Sequence, residues 1–191
     1  MNKIGCLLSG VLVGVLFITA VPLRAEIHKP APKDERIIFS FDKHNRAAVA
    51  APPFQMKDVL THKKIMLKKY KGKVVVLMFF ATWSFLSQEL SVSLIDLQKQ
   101  YQAKGVRVLA IALDEDEGAI INFCRERNIN FPVMRAESGP GVVESYAKAK
   151  GDIHMVPTTY LIDRSLMIQY HFSGNPGRYF FEEKLKKVIN Q

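Results

Sequence analysis

Seven apolar residues in succession, Val74 to Phe80, leave no place for a polar side chain. A strand with one face in water alternates between apolar and polar residues, so this run predicts a strand covered on both faces, in the middle of a sheet with helices on each side. The coverings can be read nearby. Leu86, Leu90, Leu94, Leu97 and Tyr101 follow at spacings of 4, 4, 3 and 4, which makes one apolar stripe on a helix of about five turns, ended by Gly105. Val106 to Leu113 predicts a second buried strand, and Asp114-Glu115-Asp116-Glu117 sets negative charge at the start of a helix reaching Arg127. A strand at Phe131 to Met134, a helix at Gly141 to Ala149, a pair of strands at Thr158 to Ile162 and Met167 to Phe172, and a closing helix at Tyr179 to Ile189 complete the pattern. Upstream, Arg36 to Phe41 reads as a short strand, and Phe54 to Val59 with Lys64 to Leu67 as a strand pair. This succession is an α/β fold, a central mixed sheet with helices on both faces.

The 191 residues hold one domain of ordinary size and a leader. Lys3 precedes the apolar stretch Ile4 to Ala20, and Val21-Pro22-Leu23-Arg24-Ala25 ends on a small residue suited to cleavage before Glu26. Residues 1–25 are therefore expected to be a bacterial export signal. An uncleaved anchor is the alternative, because residues 4–23 are 20 in number, about the length that crosses a bilayer. Residues 26–50, with Pro30 and Pro32, are expected to be a linker or extension, and residues 51–191 the folded domain. The protein is then periplasmic or otherwise extracytoplasmic, or anchored to the inner membrane.

A formal charge of +9 favours an acidic partner or an anionic membrane surface, and export argues against nucleic acid. Much of that charge gathers in Lys63, Lys64, Lys68, Lys69, Lys71 and Lys73, beside His62, as a docking patch or a solvated face. Cys6 falls inside the leader, so Cys124 is the sole thiol once the leader is removed, and no internal disulfide is possible. Ile120, Phe123, Cys124 and Arg127 recur at helical spacing, which places Cys124 in the core.

Directly after the apolar strand the chain reads Ala81-Thr82-Trp83-Ser84-Phe85-Leu86-Ser87 and enters its first long helix. Serine is among the best N-cap residues, so Ser84 at this point stabilises the helix by about 1 kcal/mol relative to alanine. Phe85 and Leu86 either fold inward or form an apolar knob beside Trp83.

Five segments occur in a telling order: Ala51-Pro52-Pro53-Phe54, Tyr70-Lys71-Gly72-Lys73-Val74-Val75-Val76-Leu77, Phe80-Ala81-Thr82-Trp83, Phe131-Pro132-Val133, and Val156-Pro157-Thr158-Thr159-Tyr160-Leu161-Ile162-Asp163-Arg164. Together they resemble the redoxin branch of the thioredoxin fold, in particular exported thiol-disulfide oxidoreductases of the TlpA/ResA type, which are linked to cytochrome c maturation. The resemblance runs from Ala51 to Gln191. It implies a thioredoxin-like fold in which Ser84 stands at the attacking cysteine, Ser87 at the resolving one, and Pro157 at a cis-proline facing them. The chain departs from the pattern at Phe85-Leu86, where the family commonly has a proline. It departs again at Leu90, which holds the place of an acidic residue; Glu89 sits one position earlier and is turned away by about 100° on a helix. A peroxiredoxin reading needs a cysteine following a threonine in this loop, and Thr82 is present without the thiol.

Thiol-disulfide exchange proceeds only through a thiolate, which a helix N-terminus stabilises and a serine cannot supply. No catalytic residue is therefore expected. Ser84 as a nucleophile of another kind needs a base; the resemblance brings His154 near it, but no third group orients that imidazole. His154 and Met155 offer two donors that suit copper, too few for a site, so neither metal nor cofactor is expected. The leading expectation is an extracytoplasmic module that binds a protein or peptide through Trp83, Phe85, Leu86, Val156 and Pro157, with an assembly role in the cell envelope. The alternative is a thiol-disulfide oxidoreductase whose active-site cysteines are replaced by serine.

Overall fold

A two-residue period along Val74–Phe80 decides how the layers form. The computed structural model describes residues 39–41, 49–151 and 153–191, so the expected export signal at residues 1–25 and most of the 26–50 extension lie outside the described residues. In chain order the strands are β1 (Phe39–Phe41), β2 (Val49–Ala50), β3 (Gln55–Lys57), β4 (Lys64–Met66), β5 (Val74–Phe80), β6 (Val106–Ala112), β7 (Val133–Arg135), β8 (Thr158–Ile162) and β9 (Met167–Gly174). The helices are α1 (Phe85–Tyr101), α2 (Glu117–Glu126), α3 (Val142–Lys150) and α4 (Arg178–Ile189). The main sheet runs β1-β9-β8-β5-β6-β7, with β2 also on β9 and β3–β4 a separate hairpin. β5 is parallel to β6 and antiparallel to β8, which makes the sheet mixed.

No residue of β5 is more than 1% exposed. Val74, Val76, Met78 and Phe80 face a layer built from α1, α2 and α4, where Leu90, Leu94, Leu97, Tyr101, Phe123 and Phe181 pack. Val75, Leu77 and Phe79 face the other layer, formed by α3 and by Phe54, Met56 and Leu67 around the β3–β4 hairpin. The apolar stripe expected on α1 is buried from Leu90 to Tyr101, whereas Leu86 is only half-buried because it stands in the first, outward-facing turn. Gly105 closes the turn after α1 at φ 85°, a left-handed conformation that costs glycine nothing.

Several boundaries differ from the sequence reading for local reasons. β3 stops at Lys57 because the next residue turns inward: buried Asp58 accepts hydrogen bonds from Thr61 N–H (3.0 Å), the Thr61 hydroxyl and Val133 N–H (2.9 Å). β7 begins at Val133, after Pro132, which has no N–H to give to a ladder. Leu67 belongs to a 3-10 turn over Leu67–Tyr70 rather than to β4. β2, within the expected linker, pairs with β9 at Ile168 and Met167.

Leu94 is fully buried between α1 and the sheet. Leu94→Ala is expected to lower stability by about 3 kcal/mol, read as a shift of the urea midpoint with an unchanged slope. A loss below about 1 kcal/mol would mean that this layer is not close-packed.

Candidate functional site

Where β5 and β6 end side by side, Leu113 N–H bonds to Phe80 O at 2.8 Å and the chain leaves the sheet. Asp114 then reaches across: its carboxylate accepts Thr82 N–H at 3.1 and 3.0 Å and the Thr82 hydroxyl at 2.5 Å. Gln88 adds a second tie, donating to Thr82 O at 2.9 Å and accepting from Arg127 Nη2 at 2.6 Å, while that guanidinium lies 5.2 Å over the Phe123 ring. By sequence, the acidic run at 114–117 is one complement to the helix dipole. The structure splits it: Asp116 is the N-cap of α2, accepting Gly118 N–H at 2.8 Å, and Asp114 serves the loop before α1. Nothing local marks Asp114 for that task, since Thr82 is 32 positions away.

Held this way, the loop presents Trp83 at 77% and Phe85 at 69% exposure, with Leu86 half-buried between them and the helix. Ser84 is itself buried, with Oγ accepting Ser87 N–H at 3.3 Å as the N-cap of α1 and donating to Val156 O at 3.2 Å. The Val156–Pro157 peptide bond is cis, the isomer the resemblance implied, and it is the Val156 carbonyl that meets Ser84 at the start of α1. Gly174 N–H holds Pro157 O at 2.7 Å, and the Thr158 hydroxyl holds Met155 O at 2.7 Å. Met155 is 42% exposed and Val156 half-buried, so both edges of this junction carry apolar surface. Ser87 is fully buried, and its hydroxyl has no hydrogen-bond partner among the described residues. Glu89 is exposed and Leu90 buried, which leaves no carboxylate beneath the serines at either position.

These bonds limit the chemistry. A serine nucleophile must give its proton to a base, and the Ser84 proton is directed at a backbone carbonyl. Ser87 is out of reach of a substrate. His154 is exposed, and among the described residues no group of three or more His, Cys, Asp or Glu side chains is placed to hold a metal ion. Cys124 is buried in α2 on the Phe123 side, and burial, aided by the Asp58 charge, pushes its thiol up to about 12.

The model of the AhpC/TSA family matches residues 47–171, from before β2 to the middle of β9. The chain belongs to that family. Within the AhpC/TSA family, it is 31% identical over 150 residues to the thiol-disulfide oxidoreductase ResA of Bacillus cereus, an alignment that covers 78% of this chain and 83% of the relative. It is 33% identical over 138 residues to the ResA of Bacillus thuringiensis, covering 72% and 76%. Among solved structures, a thiol:disulfide interchange protein of the thioredoxin family from Chlorobium tepidum superposes with a TM-score of 0.68 at 24% identity, covering 76% of this chain and 99% of that one. The fold of this AhpC/TSA member is thus thioredoxin-like, and the relatives at family level are thiol-disulfide oxidoreductases.

Two outcomes follow from the hydrogen bonds and the burial. Ser84→Ala removes both the cap and the tie to Val156 O, and is expected to cost about 1–2 kcal/mol in urea unfolding. Cys124 keeps its proton in the folded state at pH values where the unfolded thiol, with an ordinary value of 9.0, has released it. Its folded value is the higher one, so this contribution is whole below pH 9 and is lost as pH rises toward 12. The difference in stability between the parent and Cys124→Ala should therefore shrink above pH 9, by up to about 1.4 kcal/mol per pH unit. A difference that stays constant with pH would contradict it.

Proposed function

We propose that this chain is an extracytoplasmic, thiol-independent binding module that takes up extended protein or peptide segments along Trp83, Phe85, Leu86, Val156 and Pro157. One observation carries the reading: Trp83, Phe85 and Met155 are exposed around a helix start whose Ser84 and Ser87 are closed to electron exchange. Large aromatic side chains left in water around one junction are the usual anchors of a protein interface. The Val156 N–H makes no hydrogen bond among the described residues and offers a donor to a strand laid beside the cis-proline. The leader, with its apolar run Ile4 to Ala20, supports placement outside the cytoplasm.

A second reading is favoured by the relatives, which are named thiol-disulfide oxidoreductases. On that reading the scaffold belongs to a disulfide reductase, of the kind that serves cytochrome c maturation, and serine stands where its two cysteines belong. Insulin reduction separates the two. The unmodified chain is expected to show only background turnover, and Ser84→Cys with Ser87→Cys to gain activity; turnover by the unmodified chain would end the binding-module reading.

Trp83 is the chain's one tryptophan, so its fluorescence reports on the site directly. Titration with a reduced, carboxymethylated polypeptide is expected to shift the emission to the blue, and Phe85→Asp to weaken the affinity by about tenfold or more. An unshifted Trp83 spectrum at saturation would remove this surface as the binding face.

A further inference from the structure

Arg135, Arg178, Lys184, Lys186 and Lys187 each hold a carboxylate, as far as the described residues go. The lysines of the 63–73 stretch are all exposed and form no ion pair among the described residues. The fold divides them. Lys63 and Lys64 sit at the β3–β4 hairpin, with Lys57 across the ladder from Lys64. Lys68 and Lys69 lie in the 3-10 turn that leads to β5, and Lys71 and Lys73 flank Gly72 at the start of that strand.

Other cations meet the second group there. Gly72 N–H bonds to Arg164 O at 2.8 Å, and Val74 N–H to Gly105 O at 3.1 Å, which brings exposed Lys104 alongside. Arg107 lies across the ladder from Val75. Arg107 and Arg164 donate to backbone carbonyls of Gln102, Val106 and Ile189, so their charge is not cancelled. Asp163, at the same end, accepts from Ser165 N–H, Met167 N–H and the Gln169 side chain and keeps its negative charge, one carboxylate beside Lys68, Lys69, Lys71, Lys73, Lys104, Arg107 and Arg164. At the other end of β5 and β6 stand Asp114, Glu115, Asp116 and Glu117, with Arg135 paired to Glu117 at 3.8 Å and to Glu137 at 2.9 Å, which leaves a net negative charge. Charge therefore runs along the strands, from positive where β5 and β6 begin to negative beside the candidate site.

We propose that the pole formed by Lys68, Lys69, Lys71, Lys73 and Lys104 docks on an anionic phospholipid surface and holds the Trp83 face away from it. The side-chain chemistry favours a bilayer over an acidic protein. The exposed members are all lysine, compact charges without the planar fork that recognises a carboxylate in two bonds. Nor does the pole hold an apolar anchor among the described residues: the large exposed apolar ones there are Leu60, Trp83, Phe85, Val92, Met155 and Tyr179, none within 62–73 or 102–107. A plane of diffuse negative charge asks for neither. The same plane repels the acidic end, which fixes orientation as well as attraction. Docking of this kind rests on the proposed extracytoplasmic placement, under which the apolar run at 4–23 would bring the chain to a membrane at export or keep it there.

The chain as purified, with whatever leader it retains, is treated with an amine-reactive reagent beside vesicles of phosphatidylcholine alone or of phosphatidylcholine with phosphatidylglycerol. Mass spectrometry then gives the labelling rate of each lysine. Lys73 and Lys104 are expected to be labelled at least about threefold more slowly on the anionic vesicles, while Lys148 of α3 is unchanged. The protection should vanish in about 1 M salt. It should vanish also in a Lys68→Glu, Lys69→Glu, Lys71→Glu variant whose circular dichroism matches the parent. Equal rates on the two vesicle types, or protection that survives the triple variant, would overturn the proposal. Equal protection by soluble polyglutamate without vesicles would overturn it in favour of an acidic polypeptide.

Discussion

The structure depends on removing both faces of Val74–Phe80 from water. Each side chain that alternates up or down demands a cover, and the chain supplies α1, α2 and α4 on one side and α3 with the β3–β4 hairpin on the other. At roughly 25 cal/mol per Å² of apolar surface, burying all seven of its side chains contributes strongly to folding. It also fixes where the chain leaves the core. The strand ends at Phe80, so the residues that follow, from Ala81 to Ser87, open at the rim of the sheet whatever their chemistry.

That rim is tied down with polar contacts of several kinds. Asp114 fastens Thr82, Gln88 spans Thr82 and Arg127, and Ser84 joins the first turn of α1 to the carbonyl before the cis-proline. The serine hydroxyl suits this place because it accepts and donates at once, a capacity a thiol has only weakly. The same two bonds that make it a good structural joint direct its proton to a backbone carbonyl and not to a base.

Most of the layer order could be read from periodicity, because β5, β6 and α1 are long and their patterns are unmixed. Val133–Arg135 and Val49–Ala50 are short, and their limits are set by Pro132 and by pairing with β9, neither of which has a periodic signature. The candidate site was legible in part. Ser84 as an N-cap follows from residue type and position, and the cis bond at Pro157 follows from the family resemblance. The exposure of Phe85 against the half-burial of Leu86 depends on the rotation of α1 about its axis. The Asp114 latch depends on two strand ends meeting across 32 residues of chain, which no local pattern encodes.

Cys124 gives one last consequence. It is the cysteine among the described residues, and it is wrapped in the α2 layer. Among the described residues no sulfhydryl reaches the surface, so that surface offers a disulfide-bearing molecule no thiol to pair with. Under the proposed binding role, the lifetime of a complex is set by the dissociation rate of non-covalent contacts, independent of the redox state of the compartment.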